Sequence, residues 1–124
     1  MHTLGATLAR VAPGEVDIAL RFREELTQQH GLLHAGVTTA VMDSACGYAA
    51  LTLMEVGAAV LSVEFKVQLL APARGTEFVA RGRVVRSGRT LTVVAGEIRA
   101  DGGEPVALLN GTMMAVRDRA DLAD

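Results

Sequence analysis

The spacing of apolar and polar residues predicts two short strands, one long helix and four further strands. Apolar and polar residues alternate in the strand segments, and turn residues such as Pro13 and Gly14 separate those segments. In the helical segment, apolar residues recur every three or four positions until Gly57 stops the pattern. The predicted strands cover residues 4–11, 15–22, 58–70, 76–86, 90–100 and 105–116, and the predicted helix covers residues 35–55.

The predicted helix carries one aspartate, Asp43, close to its apolar stripe. That stripe consists of Val37, Ala40, Val41, Ala45, Tyr48, Ala49 and Leu53. Carboxylates are rarely fully buried unless they are paired or functional. In a poorly solvated cleft, a carboxylate can act as a base or as a nucleophile. Asp43 is the leading candidate for a catalytic residue. The alternative is that Asp43 has only a structural role and caps a nearby loop.

The strands after the helix indicate how its apolar side is covered. A sheet needs a cover for its own apolar face, so one helix among antiparallel strands predicts a curved sheet wrapped around that helix. The first of these strands alternates, with Ser62 and Glu64 on the face opposite Val63 and Phe65. The last two strands are apolar on both faces, as shown by Leu108, Met114 and Val116 on one side and Leu109, Met113 and Ala115 on the other. Since one helix cannot cover both faces, we expect an oligomer.

Composition narrows the class of protein. The 124 residues fit one domain, expected over residues 1–116, followed by a charged tail over residues 117–124. A single cysteine and the lack of a signal peptide or membrane-spanning run predict a cytoplasmic protein that does not associate with membranes. A formal net charge of -2 and 3% aromatic residues argue against nucleic-acid binding.

The most informative segment precedes the predicted helix. From Gln28 to Gly36 it reads Gln-Gln-His-Gly-Leu-Leu-His-Ala-Gly, and Asp43 follows nine positions after His34. This segment resembles the pattern Asn/Gln-x-x-Gly-x-x-His-Gly-Gly of hotdog-fold acyl-CoA thioesterases, in the phenylacetate-pathway (PaaI-like) and 4-hydroxybenzoyl-CoA thioesterase group. In that family the pattern precedes a helix bearing Asp or Glu. Ala35 stands where the family has the first glycine of its triplet.

The resemblance implies an α+β hotdog fold, with a curved antiparallel sheet wrapped around one long central helix. It also implies an acyl-CoA thioesterase that hydrolyses a thioester to a carboxylic acid and free CoA, with Asp43 as general base or nucleophile. The backbone N–H groups of Ala35 and Gly36 would form the oxyanion hole at the helix N-terminus. Gln28 would orient the carbonyl or the water, and Ser62 would lie near that water.

Further roles follow from the same resemblance. His34 would hold the loop before the helix. The contacts to the CoA phosphates would come from a turn comprising Ser87, Gly88 and Arg89, with Arg86 beside it. Active sites of this family form between two subunits, so Gln28 and Asp43 would come from different chains of a homodimer or a homotetramer built as a dimer of dimers. No metal or cofactor is implied, since CoA is part of the substrate.

Other interpretations of the function and of the site residues remain open. A hydratase of enoyl or hydroxyacyl thioesters would use His34 and Asp43 on the acyl carbons, although residues 23–36 lack the proline-rich approach to the helix that is usual in such enzymes. A non-catalytic acyl-CoA-binding protein would keep the pocket without needing Asp43. A metal site at His30 and His34 is disfavoured by Gly31, which indicates a turn. Two other nucleophilic side chains of the helix lack an evident base partner, namely Ser44 and Cys46.

Overall fold

The computed structural model describes residues 5–27 and 32–117. In chain order its elements are β1 (Thr7–Ala12), β2 (Glu15–Arg21), a short 3₁₀ helix (Glu24–Leu26), α1 (Ala35–Leu51), β3 (Ala59–Leu69), β4 (Glu77–Ser87), β5 (Leu91–Ala100) and β6 (Pro105–Val116). The predicted strands and the predicted long helix are all confirmed, with boundaries that differ by a few residues.

The six strands form one antiparallel sheet in the order β1-β2-β4-β5-β6-β3. Helix α1 packs on one face of this sheet, chiefly against β4 and β2. A single apolar core fills the space between them, with Phe78, Ile18 and Leu20 among its largest buried side chains. The curved sheet around one long helix confirms the α+β hotdog fold. In the part of the chain that the structure describes, no helix is long and apolar enough to cross a membrane.

Helix α1 ends at Leu51, before the predicted end at residue 55. The Thr52 hydroxyl donates a hydrogen bond of 2.7 Å to the Ala49 carbonyl and accepts one of 2.7 Å from the Gly14 N–H in the β1–β2 turn. Gly57 then takes a positive φ of 90°, which a helix does not contain. The helix therefore ends where Thr52 accepts the hydrogen bond from the β1–β2 hairpin. The helical spacing of apolar residues in the sequence continues past that point.

One side of α1 faces the sheet, and it differs in part from the predicted stripe. The buried residues of the helix are Thr38, Val41, Met42, Ala45, Cys46, Ala49 and Ala50. Three residues predicted to face the core are exposed instead, namely Ala40, Tyr48 and Leu53. The predicted stripe covers more than half of the helix circumference, but a single sheet contacts only one side of a helix. The remaining apolar positions of α1 stay accessible.

The helix approaches the sheet closely at two glycines that pair across β4 and β5. A Cβ atom on Gly82 would lie 2.4 Å from the backbone nitrogen of Cys46, and one on Gly96 would lie 2.8 Å from the Cys46 Sγ. At Gly82, only a residue without a side chain allows the contact between helix backbone and strand backbone, and at Gly96 the missing side chain leaves room for the Cys46 thiol. These two positions set the height of α1 above the sheet.

Substitution of Gly82 by alanine should destabilise the fold strongly, because the new methyl group would displace helix backbone that cannot rotate away. We expect Gly82→Ala to lower the free energy of unfolding by about 3 kcal/mol or more. Urea denaturation monitored by circular dichroism would measure this loss. Gly103→Ala is the control, since its new Cβ would meet its nearest neighbour at 3.3 Å in an exposed turn. Equal stability of the two variants would contradict the assignment.

Candidate active site

Asp43 and Ser62 meet on the side of α1 that faces β3. The Ser62 hydroxyl donates a hydrogen bond of 2.7 Å to Asp43 Oδ1. Both side chains line an open cleft of about 230 Å³. The other residues that line this cleft are Ser44, Gly47, Tyr48, Val60 and Met113. The fold thus brings two of the predicted catalytic residues together in one half-buried, water-accessible site.

Ser62 reaches the aspartate because β3 contains a β-bulge. Ser62 pairs with Met113 of β6, but Glu64 pairs with Thr112, so Val63 is an extra residue in the strand. In a regular strand Ser62 and Glu64 would share a face. The bulge places Ser62 on the helix face, whereas Glu64 lies on the opposite face and accepts a hydrogen bond of 2.7 Å from the Thr112 hydroxyl. The prediction that Ser62 and Glu64 lie on the same face of the strand is therefore wrong.

Met113 lies beneath the Asp43–Ser62 pair. Its Sδ atom is 3.2 Å from the Ser62 Oγ, and its side chain is fully buried. The sequence identified Met113 only as a residue that fills a core or an interface. Its place in the cleft depends on the pairing of β6 with β3, for which a single sequence carries no signal.

Cys46 does not take part in the site as a nucleophile. Burial, with a smaller contribution from the Asp43 carboxylate, raises the pKa of Cys46 to about 12. The thiol therefore stays protonated near neutral pH, and a protonated thiol is a poor nucleophile. Its role is to pack against Gly96, as the sequence indicated for a helix-packing residue.

The start of α1 is capped by His34. The His34 Nδ1 accepts a hydrogen bond of 3.0 Å from the Gly36 N–H, and its backbone carbonyl accepts from Val37. Gly36 was predicted to offer a second free N–H to an oxyanion, but the histidine already occupies that donor. Among the described residues, the Ala35 N–H has no acceptor. Ala35 lies within the helix, so the alanine at the family's glycine position is not strained.

The donor at the helix start and the carboxylate of the same chain are far apart. Asp43 follows Ala35 by eight residues, and a helix rises 1.5 Å per residue, so their backbones are separated by about 12 Å along the axis. Two groups that act on one carbonyl must both lie about 3 Å from the reacting atoms. One chain therefore cannot bring its Ala35 N–H and its own Asp43 to the same thioester.

The β4–β5 turn also lies away from Asp43. Across the sheet, Ser62 pairs with Met113, Met113 with Thr92, and Thr92 with Ser87. Three interstrand spacings of about 4.8 Å place Ser87 about 14 Å from Ser62. Thr92 is buried beneath the helix, so no open path follows this row of residues. Within one chain, the turn and the cleft are separate.

A second bulge, in β4, places two of the predicted CoA-contacting residues, Arg86 and Ser87, on opposite faces of the sheet. In β4, Val84 pairs with Val94 and Arg86 with Val93, so Val85 is the extra residue. Arg86 consequently lies on the face of the sheet opposite the helix, and Ser87 lies on the helix side. Ser87, Gly88 and Arg89 stay together in the exposed turn, where the Gly88 N–H donates to the Leu91 carbonyl at 2.9 Å.

Arg117 fixes this turn from the end of β6. Its guanidinium pairs with Glu55 and donates a hydrogen bond of 2.7 Å to the Arg89 carbonyl. The sequence assigned Arg117 to a charged tail, because no local pattern indicates that the segment after α1 and the β4–β5 turn converge there. Arg117 adds a cation to the surface that the resemblance assigned to CoA phosphates.

Two of the sequence predictions fall on residues 28–31. Gln28 and His30 lie outside the described residues, so Gln28 stays a prediction. Within residues 5–27 and 32–117, no three His, Cys, Asp or Glu side chains form a group that could hold a metal ion.

Comparisons with known proteins identify the family. The model of the thioesterase superfamily matches residues 30–107. A thioesterase family protein from Silicibacter pomeroyi is 50% identical, and the match covers 94% of this chain and 88% of that one, with a TM-score of 0.92. Human acyl-coenzyme A thioesterase 13 is 32% identical over 93 residues, which are 74% of this chain and 66% of the human protein.

The E. coli PaaI protein from the phenylacetic acid degradation operon has the same fold, with a TM-score of 0.85, 21% identity, and coverage of 93% of this chain and 82% of that protein. The superfamily match spans more than half of this chain and contains Asp43, Ser62 and the start of α1. The chain belongs to the thioesterase superfamily and is a hotdog-fold thioester hydrolase.

Proposed function

We propose that the protein hydrolyses acyl-CoA thioesters at the cleft formed by Asp43 and Ser62. The observation that carries this proposal is the half-buried carboxylate, held at 2.7 Å by a serine hydroxyl, in an open cleft. The human relative is named for the hydrolysis of acyl-coenzyme A, which supports a CoA ester as the substrate. The hydrogen bond from the Ser62 hydroxyl fixes the orientation of the Asp43 carboxylate.

Asp43 acts either as a general base or as a nucleophile. Both roles require an ionised carboxylate near the thioester carbon. As a base, it takes a proton from water while the water oxygen bonds to the carbonyl carbon. As a nucleophile, its oxygen bonds to that carbon and water later hydrolyses the resulting anhydride. In both cases the carbon–sulfur bond breaks, the acyl group leaves as a carboxylic acid, and the CoA sulfur takes up a proton.

The negative charge that develops on the carbonyl oxygen is stabilised by the N–H of Ala35. This donor lies at the N-terminus of α1, where the helix dipole adds a favourable potential. Because the Ala35 N–H and Asp43 of one chain are about 12 Å apart along the helix, the donor comes from a second copy. Two α1 helices in antiparallel orientation bring each helix start to the partner's carboxylate.

Strand β3 supports such a pairing. It lies at the edge of the sheet, and its exposed apolar side chains include Leu61, Val63, Phe65 and Leu69. An edge strand with exposed apolar residues favours association with another strand. Because β3 also carries Ser62, pairing two copies along β3 places both clefts at the subunit interface. A homodimer is thus the smallest active unit of this proposal.

The hydratase reading is weaker for a structural reason. It needs an imidazole and a carboxylate on adjacent acyl carbons, but His34 caps α1 through its Nδ1 and precedes Asp43 by nine residues. The Gly36 N–H therefore holds the imidazole ring at the start of the helix, where the ring caps the backbone and lies away from Asp43.

Replacement of the carboxylate tests the chemistry directly. Asp43→Asn keeps the acceptor for Ser62 but removes both base and nucleophile, so kcat should fall by a factor of about 100 or more with the melting temperature nearly unchanged. Thiol release from acyl-CoA esters, followed with a thiol-reactive dye, measures the rate. Glu64→Gln is the matched control, since Glu64 lies two residues from Ser62 on the opposite face of β3. Near-normal turnover of Asp43→Asn would reject the mechanism.

Replacement of Ala35 by proline deletes the proposed oxyanion donor without breaking the helix. Proline is favoured at the first helical position, and His34 has the extended backbone, with ψ of 137°, that a following proline requires. We expect kcat of Ala35→Pro to fall by a factor of about 100 or more, because one donor is lost. Ala35→Gly keeps the N–H and should retain activity within a few-fold. A fully active, correctly folded proline variant would exclude this donor.

Mixing the two inactive variants tests whether the site is shared. A dimer of one Asp43→Asn chain and one Ala35→Pro chain contains one intact site if the donor and the carboxylate come from different chains. After unfolding and refolding together, random pairing should restore about a quarter of the wild-type activity per chain. If each chain carries its own complete site, mixing restores nothing, and the two-copy proposal is wrong.

A further inference from the structure

Gly47 lies in the interior of α1, and helix α1 continues for four more residues beyond it, to Leu51. Glycine is less favourable than alanine at such a position, because it loses more conformational freedom when the chain folds. A glycine in the middle of a helix therefore lowers the stability of the fold unless the missing side chain serves contact with a neighbouring element. The surroundings of Gly47 show whether it does.

The usual structural reasons for a glycine are absent at this position. The φ angle of Gly47 is not positive. Outside its own helix and chain neighbours, a Cβ atom on Gly47 would meet only the Val60 Cγ1, at 3.9 Å, which is an ordinary van der Waals distance. Every other glycine in the described part of the chain has a positive φ or would bring a Cβ within 3.3 Å of a neighbouring atom. Gly47 is thus the one described glycine for which the fold of a single chain gives no reason.

The space beside Gly47 opens into the cleft that contains Asp43 and Ser62. Gly47 follows Asp43 by four residues, so the two positions are neighbours on one side of the helix, about 6 Å apart along the axis. Val60 stands across this space, and Met113 lines the same cleft. The atoms bonded to a thioester carbon that lies about 3 Å from the Asp43 carboxylate therefore reach the space beside Gly47.

The dimensions of the cleft fit a bulky acyl group. Its volume is about 230 Å³, and a cavity of about 150 Å³ is enough to hold a benzene molecule. The side chains of Val60 and Met113 are apolar and favour contact with hydrocarbon. A thioester carbon bears a sulfur on one side, which in CoA continues as a thin, unbranched methylene chain. The width at Gly47 is needed only on the other side, where the α-carbon of the acyl group can carry two substituents.

We infer that Gly47 is a specificity-determining residue, which gives the cleft room for acyl groups that are branched or carry a ring at the α-carbon. This inference rests on the proposed function and adds to it the class of acyl group, of which isobutyryl and cyclohexanecarbonyl are examples. A side chain at position 47 would occupy the space that the α-substituents need. The stability that the helix loses at Gly47 is then offset by access for these substrates.

The test compares butyryl-CoA with isobutyryl-CoA, two isomers that differ only in branching at the α-carbon. The wild type should hydrolyse both. In Gly47→Val the ratio of kcat/KM for butyryl-CoA to kcat/KM for isobutyryl-CoA should rise about tenfold or more, because the new side chain and the branch compete for one space.

Gly47→Ala should raise this ratio by a smaller factor. Its melting temperature should nevertheless rise by a few degrees, since alanine is the better residue in a helix. A variant that is more stable and yet discriminates against the branched ester has not lost activity through damage to the fold. Gly103→Ala is the matched control, because Gly103 lies in an exposed turn outside the cleft. It should keep the wild-type ratio of the two esters.

Binding of S-butyl-CoA and S-isobutyl-CoA separates this inference from the proposed function. Both thioethers carry a CH2 group in place of the carbonyl and are not hydrolysed. If calorimetry shows that Gly47→Val weakens binding of S-isobutyl-CoA about tenfold more than binding of S-butyl-CoA, the inference is supported even if no ester is hydrolysed.

Three results would overturn the inference. Hydrolysis that depends on Asp43, with an unchanged ester ratio in Gly47→Val, would do so and leave the thioesterase proposal intact. A wild type that hydrolyses butyryl-CoA but rejects isobutyryl-CoA would do the same. Sedimentation supplies the third criterion: dissociation of the Gly47→Ala oligomer, with equal loss of activity for both esters, would show that a second copy packs against Gly47.

Discussion

The close contact between α1 and the sheet is the constraint on which the rest of the structure depends. At Gly82 the helix backbone lies against β4 with no side chain between them, and at Gly96 the Cys46 side chain lies against β5. This height lets Ser62 on the edge strand reach Asp43 across the flank of the helix. A methyl group at Gly82 would displace the helix backbone from the sheet, and the hydrogen bond between Ser62 and Asp43 would lengthen with it.

Bulges in three of the described strands distribute side chains between the two faces of the sheet. They lie in β1, β3 and β4, next to Leu8, Ser62 and Arg86 respectively. In each strand one extra residue reverses the alternation of the residues beyond it. The helix face thereby gains Leu8, Val11 and Ser62, whereas Arg86 lies on the opposite face. The contact of Ser62 with Asp43 and the position of Arg86 both depend on these irregular positions.

The geometry of a single helix also explains why the proposed activity needs two copies. The Ala35 N–H, which has no acceptor among the described residues, and Asp43 both belong to α1, and the rise of the helix fixes the separation of their backbones. No side-chain rotation can bring them to one carbonyl. In the proposed mechanism, a complete site therefore combines the start of one helix with the middle of another, which would link activity to assembly.

The sequence alone determined the element order, the fold class and the family, and it indicated Asp43 as the candidate catalytic residue, because apolar periodicity and turn residues are local and the motif before α1 is contiguous. Tertiary structure decided what depends on register and on neighbouring elements. It decided the end of α1 at Leu51, the occupied N–H of Gly36 and the contact of Ser62 with Met113. A bulge shifts a strand by one residue without changing its apolar composition, so residue spacing cannot indicate which face Ser62 occupies; only pairing with the adjacent strand determines it.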